Sequence, residues 1–142
     1  MQISFDLVGI VRGQGRPRFG HGRAYKAEED KAWEDKIRMA YHRGRRGLHI
    51  RKGAPVFVTI EAVKAVPASW SKKRQLEAQG KFWDGKPDAD NIAKSVLDAL
   101  NRTAWDDDKQ VTGLTVTKMY GAYDHLHITI AEAEEEEAYD RG

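Results

Sequence analysis

At 142 residues the chain is one domain long, enough to bury roughly two-thirds of its extended surface around a single core. It has no cysteine, which excludes disulfides and thiolate metal sites. Its net charge of +2 hides an asymmetry: residues 1–71 carry 14 Lys and Arg against 7 Asp and Glu, and residues 72–142 carry 10 against 15. The first half therefore reads as a polyanion-binding surface, and the second half holds acids that need a reason. No apolar run approaches the roughly 18 residues of a membrane-spanning helix. MQISFDLVGI lacks the basic-then-apolar order of a secretory signal, so a complete, cytoplasmic chain with no membrane partner is expected.

Residues 3–11, ISFDLVGIV, predict a strand, with Ile3, Phe5 and Leu7 alternating. RGQGRPRFGHGRAY follows, and its glycines and Pro17 exclude a helix interior. Its cations, Arg12, Arg16, Arg18 and Arg23, sit either on a solvated hairpin or on an arm laid along phosphates. Residues 26–43 predict a helix, with Trp33, Ile37, Ala40 and Tyr41 at helical spacing and Glu28, Glu29 and Asp30 favouring the positive end of its dipole. Its end, HRGRRGLHIRK, places Arg43, Arg45, Arg46, Arg51 and Lys52 within ten residues. That is more cation than one helix end needs, and it fits phosphate contact.

PVFVTIEAV, residues 55–63, predicts a central strand. Glu61 on it requires either a lysine partner near a sheet edge or an ion. SWSKKRQLEAQG predicts a short helix opened by Ser69 or Ser71, with Lys72 and Lys73 as further candidate phosphate contacts. A helix is expected over Asp90 to Asn101, and strands over QVTGLTVTKMY and HLHITIA, joined as a hairpin by Gly121 to Asp124. His125 and His127 share a strand face with too few neighbouring ligands for zinc; His21, His42 and His49 are scattered. Glu132 and Glu134 to Glu137 make a like-charged run. The expected division is a domain over 1–131 and a flexible acidic tail over 132–142. The expected fold is α/β: a small mixed sheet with helices packed on one side.

Two acidic stretches remain. In KPDADNIAK, Asp88 and Asp90 open the helix and Lys94 follows one turn later. Read locally, Asp88 caps the helix and Asp90 pairs with Lys94 at i,i+4. In WDDDKQV, Asp106, Asp107 and Asp108 repel one another, which suits a loop tip or a cation site. If the short link after Leu100 turns back along the helix, both groups meet and bind magnesium through hard oxygens.

KPDADNIAKSVLDALN followed by WDDDKQV resembles the signature of the RusA family of Holliday junction resolvases, small endonucleases often found in prophages. Asp88, Asp90, Asn91 and Lys94 match its first block, Asp98, Ala99 and Leu100 the second, and Asp107, Asp108, Gln110 and Val111 the third. GQGRPR is similar to the family's N-terminal region. The resemblance implies Mg2+ (Mn2+ as an alternative ion) held by Asp88, Asp90 and Asp108 with Asp107 as helper. Lys94 would be the essential basic residue at the site, and no organic cofactor is needed. It also implies an intertwined homodimer that makes paired nicks in a four-way DNA junction, with 5′-phosphate ends, in recombination and repair. Pro87-Asp88 with Asp107-Asp108-Lys109 also matches the looser PD…D-x-K nuclease pattern, which would make Lys109 the catalytic lysine. Two rival functions stand beside this one: a non-catalytic nucleic-acid-binding protein of the same fold, and a nuclease for other branched DNA.

Overall fold

The computed structural model describes residues 1–133, so Glu134 to Glu137 of the acidic run lie outside the described residues. The chain forms β1 (Gln2–Val8), β2 (Arg18–Gly20), β3 (Arg23–Tyr25), α1 (Glu28–Gly44), β4 (Val56–Ala65), α2 (Lys72–Ala78), α3 (Ala89–Leu100), β5 (Val111–Gly121) and β6 (His125–Glu132), with a single 3-10 turn over Asp108–Gln110. This is the expected α/β class. A four-stranded mixed sheet has the order β1-β6-β4-β5, and β2 and β3 form a separate two-stranded hairpin.

Strand alternation builds the core. Ile3, Phe5 and Leu7 of β1, Leu126, Ile128 and Ile130 of β6, and Val56, Val58, Ile60 and Ala62 of β4 all point to one buried face. Trp33, Ile37, Ala40 and Tyr41 of α1, and Ile92, Val96, Ala99 and Leu100 of α3, close over that face. Each large aliphatic side chain buried there contributes about 1.5–3 kcal/mol. Of the described helices none is long and apolar enough to cross a membrane.

The expected hairpin is not formed. β4 lies between β5 and β6, parallel to the first and antiparallel to the second. The link through Gly121 and Asp124 passes over the end of β4: Val66 N–H donates to the Gly121 carbonyl at 3.2 Å, and Ala65 N–H donates to Asp124 Oδ1 at 3.0 Å. β4 carries the most continuous apolar face, and a central position buries it best. Glu61 follows from this placement. It sits mid-sheet on β4, opposite Thr117 and His127, but on the open face and exposed, so it needs neither an edge nor a lysine.

Glu132 leaves the acidic run and becomes the last residue of β6. Its carboxylate takes the Arg51 guanidinium and, at 3.0 Å, the Arg51 backbone N–H. Arg51 is thus tied to the sheet rather than held out toward phosphate.

Candidate active site and nucleic-acid interface

The start of α3 is where local helix chemistry fails to account for the residues. Asp88 occupies the N-cap position, yet its side chain accepts no capping hydrogen bond. Asp90 and Lys94 form no ion pair with each other. Among the described residues, neither carboxylate nor the Lys94 amine has a hydrogen bond or ion pair, and all three side chains are exposed. Asp98, two turns further on, differs: it accepts from Lys26 Nζ at 3.3 Å. Asp88, Asp90 and Lys94 thus stay free at the helix start, as do Asp84 and Lys86 just before it, whereas Asp98 on the same helix is paired.

The 12–26 loop is held directly beside them. Gln14 N–H donates to the Asn91 carbonyl at 3.0 Å, in the first turn of α3. Gly13 lies so near that a Cβ there would come within 2.8 Å of both the Asn91 and Pro87 Cβ atoms. Two buried acids of α1 anchor the loop's ends. Asp30 accepts from Arg12 at 3.3 Å and from the Gly15 N–H at 3.2 Å. Glu34 accepts from Lys26 Nζ at 2.6 Å. Burial, the largest single influence on Lys26, lowers its pKa, but Glu34 and then Asp98 more than reverse this and hold it above 10.5. The acids at the start of α1 therefore do more than favour a dipole. Asp30 and, one turn on, Glu34 fix the basic loop in place.

The second acidic stretch is elsewhere. Trp105 Nε1–H donates to Asp108 Oδ1 at 2.8 Å, and Trp105 itself pairs with Asn101 at the C-terminal end of α3. Asp107 caps the 3-10 turn, accepting from Lys109 N–H at 2.9 Å, while Gln110 Oε1 accepts the N–H groups of Asp106 and Asp107. Gln110 Nε2 donates in turn to the Ala54 carbonyl at 2.9 Å. The link after Leu100 thus stays at the helix end, tied down by Trp105 and Gln110, and does not turn back along it. α3 separates Asp88 from Asp108 by roughly 18 Å of helix and Asp90 by roughly 15 Å. Among the described residues no three His, Asp or Glu side chains converge to hold a metal. The expected meeting of both acid groups does not occur within one chain.

The cations also fall into separate groups. Arg12, Arg16, Arg18 and Arg23 belong to the loop beside the start of α3. Arg43, Arg45 and Arg46 lie at the C-terminal end of α1, where Arg43 and Arg46 border the edge strand β1. Arg12 is spent on Asp30, and Arg18 lies 3.6 Å from Glu29 with both side chains exposed. Arg45 donates to the Leu48 carbonyl at 3.2 Å. Arg16, Arg23, Arg43, Lys72 and Lys73 have no ion pair among the described residues. Ser71, not Ser69, caps α2, accepting from Arg74 N–H at 3.2 Å. Trp70 lies under Arg74, 3.7 Å from its guanidinium carbon, and edge-on to Tyr120. His127 hydrogen-bonds Asp6 across the β1–β6 pair at 2.6 Å.

One residue escaped the sequence reading. Phe19 stands 81% exposed on β2, and its signal was an aromatic set among arginines in a glycine-rich loop.

A small mixed-sheet α/β domain that latches a basic arm beside unpaired carboxylates is built to handle a polyanion. Across residues 9–131 the chain matches the family described as Endodeoxyribonuclease RusA, and it belongs to that family. Membership implies nuclease activity and binding of branched DNA junctions. The chain is also 30% identical over 136 residues, 92% of its own length and 96% of the relative's, to a Bacillus subtilis (strain 168) protein described as "Uncharacterized protein YqaN".

Proposed function

We propose that the protein is a magnesium-dependent endodeoxyribonuclease that resolves four-way DNA junctions by paired symmetric nicks. The observation that carries this is the free state of Asp88, Asp90 and Lys94 beside the latched basic loop, in a chain of the RusA family. Their donor chemistry fits magnesium, which takes one or two carboxylates together with phosphate oxygens and water. The chemistry such an ion supplies is activation of water and neutralisation of charge on the phosphodiester. Asp88 and Asp90 hold the hard oxygens in place. Lys94, one turn along the same helix face as Asp90, offers a positive charge where negative charge develops on the phosphoryl group. Arg16 and Arg23, and the Arg43–Arg46 group at the end of α1, track phosphates and supply affinity with little base information.

Asp108 enters this reading through a homodimer. A two-fold pair whose axis crosses α3 near its middle would set each end of that helix beside the opposite end of its partner's, and so bring an Asp108 to the Asp88 and Asp90 of the other copy. Two such composite sites would also account for paired nicks. The support is the separation of the acid groups along α3.

The test is cleavage of a synthetic four-way junction in magnesium, wild type against Asp90→Asn. We expect 5′-phosphate nicks from the wild type and a loss of at least a hundredfold in the variant. No magnesium-dependent cleavage by the wild type, or full activity in the variant, defeats the proposal. Binding without cleavage would point to the non-catalytic alternative. Equal cleavage of flaps and forks would point to the broader branched-DNA nuclease.

A further inference from the structure

β2 and β3 form a hairpin that buries nothing. Every residue in the two strands is exposed or half-exposed. The pairing sets Arg18 opposite Tyr25, Phe19 opposite Ala24 and Gly20 opposite Arg23. Cross-strand partners share a face, so Phe19 stands on one face beside only a methyl group. On the other face the Tyr25 ring lies over Gly20, where an added Cβ would sit 3.0 Å from Tyr25 Cε1. The turn is tight, with φ of 52° at His21 and 76° at Gly22, the pair of positive values that a two-residue hairpin loop demands.

At 81% exposure Phe19 is the most exposed large hydrophobic among the described residues. A phenyl ring in water loses the burial that normally stabilises it. Nothing in the fold repays that, and yet the hairpin's base is clamped by the buried carboxylates of Asp30 and Glu34. The same loop carries Arg16 and Arg23, which have no ion pair among the described residues, and Arg18, loosely paired with Glu29; Arg18 and Arg23 belong to the face opposite Phe19. A hairpin with an exposed aromatic on one face and cations on the other suits an unstacked base and the phosphates around it. In continuous duplex the bases are already stacked on one another. At a branch point the stack is interrupted, and an apolar wedge finds a free face there.

We infer that Phe19 is a base-stacking wedge, held on a clamped basic hairpin, that selects branched DNA over duplex. The inference rests on the nuclease reading above and adds a selectivity element outside its acidic site.

The experiment measures binding of the full chain, in EDTA, to a four-way junction carrying 2-aminopurine at the branch and to a duplex of the same sequence. Phe19→Ala should weaken junction binding about tenfold, within the range that one base–aromatic stack supplies, and abolish the 2-aminopurine response. Duplex affinity and the salt dependence of binding should not change, because no phosphate contact is lost. Phe19→Trp should keep both junction affinity and the fluorescence response. Wild-type junction affinity in Phe19→Ala overturns the inference, as does an equal loss on junction and duplex. A fall in oligomeric mass of Phe19→Ala on sedimentation also overturns it, since the ring would then be a contact between protomers. If the wild type binds no branched DNA at all, the nuclease reading fails first and takes this inference with it.

Discussion

Gly13 and Asn91 touch so closely that the loop after β1 and the first turn of α3 act as one unit. The Gln14 N–H bonded to the Asn91 carbonyl seals that contact at 3.0 Å. Gly13→Ala would place a methyl group 2.8 Å from the Cβ atoms of Asn91 and Pro87, and one side must move. We expect a loss of about 1–3 kcal/mol in urea unfolding, the usual cost of overpacking. Junction affinity should fall at least tenfold, because the arginine loop no longer sits beside the acids. Wild-type affinity in this variant would show that the latch does not position the arm.

The two candidate lysines belong to different elements. Lys94 follows Asp90 by one turn, whereas Lys109 belongs to the 3-10 turn capped by Asp107. Lys94→Ala is expected to lower the cleavage rate by at least a hundredfold, with junction binding nearly unchanged. Lys109→Ala should leave the rate within about threefold of wild type. The reverse pattern in single-turnover cleavage would favour the PD…D-x-K assignment.

Separation of the acids makes complementation informative. Asp90→Asn and Asp108→Asn should each be inactive alone. If each site takes Asp108 from the partner subunit, a mixed dimer has one site with both lesions and one with neither. Mixing the two inactive variants should then restore single-strand nicking without paired cleavage. A mixture as inactive as its components would place all the ligands of each site on one chain.

Stability should depend on pH at both extremes, for identifiable reasons. For Glu132, burial is the largest single influence and raises the pKa, but the Arg51 hydrogen bonds and charge, with help from the N-terminal amine, bring it below 4.5. Its folded pKa is depressed, so its stabilisation is fully present above pH 4.5 and is lost as pH falls through the folded value. The folded pKa of Lys26 is raised instead, so its stabilisation is complete below pH 10.5 and is lost as pH rises through the folded value. In urea unfolding across pH, Glu132→Gln should flatten the acid limb alone and Lys26→Met the alkaline limb alone. Unchanged limbs in both variants would rule out these pairs as the source.

Much of the architecture was legible because it is local. Helical spacing located α1 and α3, and alternation marked β1, β4 and β6. The motif residues from Asp88 to Val111 carried the family. Strand neighbours were not legible. Three residues between β5 and β6 looked like a hairpin turn, and only the burial demand of β4 explains why that strand lies between them.

The sequence by itself determined the elements, the family and the supply of charged groups. Tertiary structure decided which of those charges are used up and which stay available. Asp30, Glu34, Asp98 and Glu132 are held by cations distant in sequence, Asp107 caps a turn, and Asp88, Asp90 and Lys94 are left free. It also decided that the two acid groups stand a helix length apart and that Phe19 stands exposed on its hairpin. The physical reason is range. Backbone preference and side-chain periodicity act over a few residues, whereas the state of a charge or a ring depends on what folding brings within about 4 Å of it.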